Sequence, residues 1–184
     1  TESLLRNDDP AKVLYDEFRD RFGRDEVVIV AIRSPDVLAP AFLERLAAFH
    51  EALENETPHL EEVRSLINAR VTKGDEDQLL VEDLLEEWPE DPKAWQELRE
   101  FVLGNPFYQN LLISRDTRLT VIMVETSAFS SAEPSTETAL EGFDEEESET
   151  PPSFLTGAEN DEVRDAVMAV SERFQGADFS VDLT

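Results

Sequence analysis

The chain has 184 residues, 40 % of them hydrophobic, which suits one domain with a core and argues against a chain unstructured throughout. Its net charge of −27 sets it against DNA, RNA and anionic lipid surfaces, each of which would repel it, and fits a soluble or salt-adapted surface. The lack of cysteine excludes disulfides, thiol catalysis and thiolate metal sites.

Asp9-Pro10 predicts a helix start, with Leu14, Phe18 and Phe22 on one face and Gly23 as its stop. Glu26 to Ile32 is a short apolar run that reads as a strand buried on both faces. After a loop from Ser34 to Ala39, Pro40 opens a helix with Phe42, Leu43, Leu46, Phe49 and Leu53 on one face, and Pro58 breaks it. A second strand is expected around Val63 to Asn68, which makes the first part a β-α-β unit with parallel strands. Residues 73–104 read as a helical insertion. Leu80, Leu84, Leu85 and Trp88 suggest its first helix, and Asp91-Pro92 starts its second, with Trp95, Leu98 and Val102 inward.

Gly104 and Pro106 then read as a stop, followed by a β-hairpin. Its strands are Tyr108 to Ser114 and Leu119 to Thr126, joined by Arg115-Asp116-Thr117-Arg118, and the second should be central in a sheet. Residues 127–157 are acidic and rich in Ser, Thr and Pro, which predicts a flexible segment. Asn160 is the expected cap of a last helix bearing Val163, Val167, Val170 and Phe174, which Gly176 ends before a strand from Asp178 to Leu183. With the insertion set aside, the order β-α-β-β-α-β is the split β-α-β plan of an α+β, ferredoxin-like domain. The Pro40 and Asn160 helices would cover one sheet face. The N-terminal helix, the Trp-containing insertion or a partner would cover the other.

Several of these features coincide in one order: Asp9-Pro10 with Tyr15, Phe18 and Phe22-Gly23; Val27 to Ile32; Phe42 to Leu53; Val63 to Asn68; Asn105-Pro106 with Leu111 to Ser114; and Thr120 to Val124. Together they resemble the first large extracytoplasmic loop of exporters of the resistance-nodulation-division superfamily. The branch they resemble is that of the exporters of hydrophobes and amphiphiles, which includes the hopanoid and mycolipid transporter relatives. The resemblance implies that residues 1–184 are a single porter-like domain in the periplasm, between two transmembrane helices of a bacterial inner-membrane protein. It implies that the clefts pass lipidic or amphiphilic substrate while the proton-relay carboxylates lie in helices outside this chain. The implied partners are the remaining transmembrane and periplasmic parts of the exporter, the substrate, and in some arrangements further copies of the chain. Nucleic acid is not among them. Thr1-Glu2-Ser3, with no initiator Met, basic region or apolar core, reads as the start of a mature or excised piece rather than a signal peptide.

Chemical motifs are sparse. His50 and His59 belong to no HExxH and no spaced metal pair, so they read as surface or helix-edge histidines, and neither a metal nor a cofactor is expected. The 43 acidic residues make any chosen carboxylate pair uninformative as an acid–base couple. Asp144 to Glu147 lacks the ligand alternation of a calcium loop and reads as a solvated charge run. No GxxxxGK[ST], GxGxxG or GxSxG occurs, so no catalytic residue is expected. The aromatics Trp88, Trp95, Phe101, Phe107 and Tyr108 read as a small satellite core or, on the functional reading, as a surface for substrate or partner. The rivals to an exporter domain are a soluble ferredoxin-like module that binds a ligand or dimerises, and a hydrolase using paired carboxylates.

Overall fold

The computed structural model describes residues 27–75, 78–128 and 155–183. The helix expected at Asp9 and most of the acidic segment lie outside them. Among the described residues the chain is α+β. Its elements are β1 (Val27–Arg33), α1 (Pro40–Glu56), β2 (Leu60–Arg64), β3 (Arg70–Asp75), β4 (Gln78–Asp83), α2 (Pro92–Gly104), α3 (Pro106–Leu111), β5 (Leu119–Thr126), α4 (Gly157–Phe174) and β6 (Ser180–Leu183).

Four strands form one sheet in the order β2-β5-β1-β6, and β3 pairs with β4 in a separate hairpin. Each ladder of the main sheet is antiparallel: Val30 faces Ile122 and Leu183, and Val63 faces Val124. β1 and β2 both run against β5, so they are parallel to each other with β5 between them. Helix α1 makes the connection that two parallel strands require.

The core lies between one sheet face and helices α1 and α4. Val30 and Ile32 of β1, Ile122 and Val124 of β5, and Val63 of β2 are buried there. Helix α1 presents Phe42, Leu43, Leu46, Phe49 and Leu53 to them, at the three-and-four spacing of one helical face. Helix α4 adds Val163, Val167 and Val170. A knot of rings closes the far end: Phe49 sits 5.0 Å from Phe174 and 5.7 Å from Phe179, and Phe42 lies 5.2 Å from Phe179. Arg45 caps this knot. Its guanidinium stacks 5.0 Å over the Phe179 ring and donates to the Phe174 carbonyl at 2.7 Å, satisfying an acceptor left over at the end of α4. It passes so close to Gly176 that a Cβ there would stand 3.0 Å from its Nη2, so a larger residue would displace the clamp.

The opposite sheet face differs from expectation. Val27 and Ile29 are each 41 % exposed, so β1 is buried on one face only. In an antiparallel sheet one covered face is sufficient, and Val27 and Ile29 keep much of their surface exposed on the other.

Four further expectations are corrected. The strand placed at Val63 to Asn68 ends at Arg64, and Ser65 to Asn68 form a turn. The helix expected from Leu80 to Trp88 is strand β4 and a turn, paired with β3 from Arg70↔Asp83 to Asp75↔Gln78. The strand expected at Tyr108 to Ser114 is mostly helix α3, because Asn105 caps it through Phe107 N–H and Pro106 supplies its first turn. All that survives of that hairpin is the bridge Ile113↔Thr120. Helix α4 is capped by Thr156, not Asn160. The Thr156 hydroxyl accepts from Glu159 N–H, and the Glu159 carboxylate accepts from Thr156 N–H at 2.7 Å, a reciprocal capping box. Thr156→Ala is expected to lower stability by about 1 kcal/mol, read as a shift in the denaturant midpoint with an unchanged slope. Thr156→Asn should recover most of it.

Candidate functional site

Strand β5 has two neighbours along one edge. β2 covers Met123 to Thr126, and the chain from Leu112 to Ser114 covers the beginning of β5 through Val121 N–H to Leu112 O at 3.0 Å and Ser114 N–H to Leu119 O at 2.9 Å. Between these two neighbours the chain turns away through Ser65 to Arg70. The gap is a cavity of about 390 Å³, within the range of small-molecule sites. Its apolar wall is Ala69, Phe107, Leu111, Leu112 and Met123. Its polar rim is Glu62, Arg64, Ser65, Asn68 and Arg70.

The rim is held by hydrogen bonds. Asn68 accepts from Ser65 N–H at 2.9 Å and donates to Val63 O at 2.7 Å, folding the turn back on β2. The Ser65 hydroxyl accepts from Ile67 N–H at 3.1 Å and bonds His50 Nδ1 at 2.9 Å, while His50 Nε2 lies 3.1 Å from Glu54 Oε1. His50 is therefore not the surface residue its sequence context suggested: it is 6 % exposed and fastens α1 to the turn. Serine, histidine and glutamate stand in line here as in a nucleophilic relay. Ser65 is 1 % exposed, however, and one lone pair of its hydroxyl is taken by a backbone amide, so the geometry is that of a clasp. His59 is the other departure from a simple loop residue. It adopts a left-handed backbone (φ 53°) and sets its ring 3.8 Å from Glu162.

Charge at the rim is uneven. Arg64 is held by Glu62 at 2.7 Å and Glu125 at 3.2 Å, and the hydrogen bond it donates to Glu62 raises its pKa first, with the Glu125 charge adding to it. Arg70 is exposed, and none of the ion pairs among the described residues engages it. Its carbonyl accepts the Tyr108 hydroxyl at 3.0 Å, which joins α3 to β3 beneath the cavity.

The five aromatics singled out in the sequence fall into two groups. Trp88 and Trp95 stack edge-on at 5.9 Å. Phe101 and Phe107 flank Tyr108 at 6.0 and 6.2 Å. Tyr108 is buried, whereas Phe107 is 60 % exposed and is the member of the five that lines the cavity. The residues that complete the site, Arg64, Asn68, Arg70, Leu111, Leu112 and Met123, were not singled out. A partial signal was present in Ser65-x-x-Asn68, a pattern whose side chains favour turns over strands.

Among the described residues no group of three or more His, Asp or Glu is placed to hold a metal ion, and no helix is long and apolar enough to cross a membrane. Compared with protein-family models, with curated proteins and with solved structures, the chain matches none.

Proposed function

We propose that this chain is a non-enzymatic, ferredoxin-like porter domain of a proton-driven exporter of the resistance-nodulation-division superfamily. It would stand in the periplasm and contribute to the path of a hydrophobic or amphiphilic, lipid-like substrate. The observation that carries the reading is the strand order β2-β5-β1-β6 with α1 and α4 against one face, the arrangement a split β-α-β domain requires. The ordered set of motifs from Val27 to Val124 adds to it. So does the apolar-walled cavity, since a lipid-like substrate is held by apolar side chains with few polar anchors. In this role the domain rocks against its neighbours while proton coupling occurs elsewhere in the exporter.

The test is the parent reading frame. Apolar runs of about 20 residues on both sides are expected, and deletion of the domain should abolish export by the full-length protein. Polar sequence on both sides, or unaltered export after deletion, would remove the exporter. A second reading is favoured by Val27 and Ile29, apolar residues of β1 that are each 41 % exposed. In that reading the domain is a soluble module that pairs through its sheet or binds a ligand. A concentration-dependent dimer that Ile29→Lys dissolves would support it.

A further inference from the structure

The porter reading leaves open what the far end of the substrate carries. We infer that the cavity beside β5 takes a single-tailed amphiphile with an anionic head, the tail lying on Phe107 and Leu111 and the head pairing with Arg70. This deepens the porter reading and rests on it only for the statement that the ligand is cargo.

Phe107 and Leu111 stand four residues apart on α3, hence side by side, and are 60 % and 52 % exposed. Leu112 and Met123 continue the apolar wall inward. A hydrocarbon tail laid there covers surface that water now meets. The head is decided by local charge. At physiological salt, charges more than about 8 Å away are largely screened, so the net −27 of the chain matters less than the groups at the rim. Arg64 is already neutralised by Glu62 and Glu125. Asn68 spends its side chain on Ser65 and Val63. That leaves the Arg70 guanidinium, a planar fork suited to two oxygens of a carboxylate, sulfate or phosphate.

The test is calorimetric titration of the whole chain with decyl sulfate, decyltrimethylammonium and decyl maltoside, each below its micelle concentration. Decyl sulfate should bind saturably at one site and more tightly than the other two. Arg70→Gln, at an exposed position, should weaken decyl sulfate by about tenfold, the equivalent of one charged hydrogen bond, and leave decyl maltoside unchanged. Leu111→Gln should weaken both. Equal binding of decyl sulfate to the parent and to Arg70→Gln overturns the inference, as does tighter binding of the cationic probe. Dodecanoate and dodecyl phosphate then rank the head groups. Arg70-dependent binding with no membrane spans in the reading frame keeps the site and removes the exporter. Spans on both sides without binding keep the exporter and remove the site.

Discussion

Phe49→Ala is expected to lower the stability of this chain by about 3–5 kcal/mol. Phe49 is fully buried and is the ring that both Phe174 of α4 and Phe179 before β6 pack against. Removing it leaves a cavity where three elements meet, and collapse is opposed because Arg45 holds Phe174 O and the Phe179 ring in place. A domain of this size has a total stability of about 5–15 kcal/mol, so the variant should sit near the edge of folding at room temperature. Chemical denaturation followed by circular dichroism would measure it. Phe49→Leu should recover roughly half of the loss. A midpoint within experimental error of the parent for Phe49→Ala would mean that the ring knot is not a packing centre.

Tyr108→Ala should be nearly as costly, about 3–4 kcal/mol, for a different reason. The ring is buried at the junction of α3 and β3, and its hydroxyl is the hydrogen bond that ties Arg70 O to α3. Tyr108→Phe keeps the ring and isolates the hydroxyl, and should cost about 1 kcal/mol. The same burial raises the phenol pKa. The folded chain therefore holds its proton where the unfolded chain would release it. The stability in question is intact below the ordinary phenol range and falls as pH rises through and beyond it. The gap between parent and Tyr108→Phe should accordingly narrow in alkali. An alkaline denaturation curve identical in slope for both chains would contradict this account.

The core was legible in the sequence because each core element carries its own period. The Pro40 helix repeats apolar residues at three and four over about three turns, and Leu119 to Val124 is a nearly continuous apolar run of the kind a central strand carries. The hairpin β3-β4 was not legible because Leu80, Leu84 and Trp88 stand at spacings of four, which place residues on one face of a helix and also on one face of a strand. Helix α3 was missed because Asn105-Pro106 ends one helix and starts another. The same two residues are a stop signal read from one side and a cap with a first-turn proline read from the other. The cavity could not be read at all. Arg64 to Arg70, Phe107 to Leu112 and Met123 are distant in sequence and meet only because β5 lies between β2 and β1.

One small contact sets how force would travel through this molecule. Asp36, in the loop before α1, accepts Leu38 N–H at 3.1 Å and both of its oxygens receive Arg99 of α2, at 3.0 and 2.8 Å. A pull on the arm that carries the aromatic residues is thus delivered to the root of α1 instead of being absorbed by the intervening turns. Because the pair is about one-third exposed on each side, that coupling is worth at most about 1 kcal/mol and weakens with ionic strength. The joint therefore loosens as salt is added.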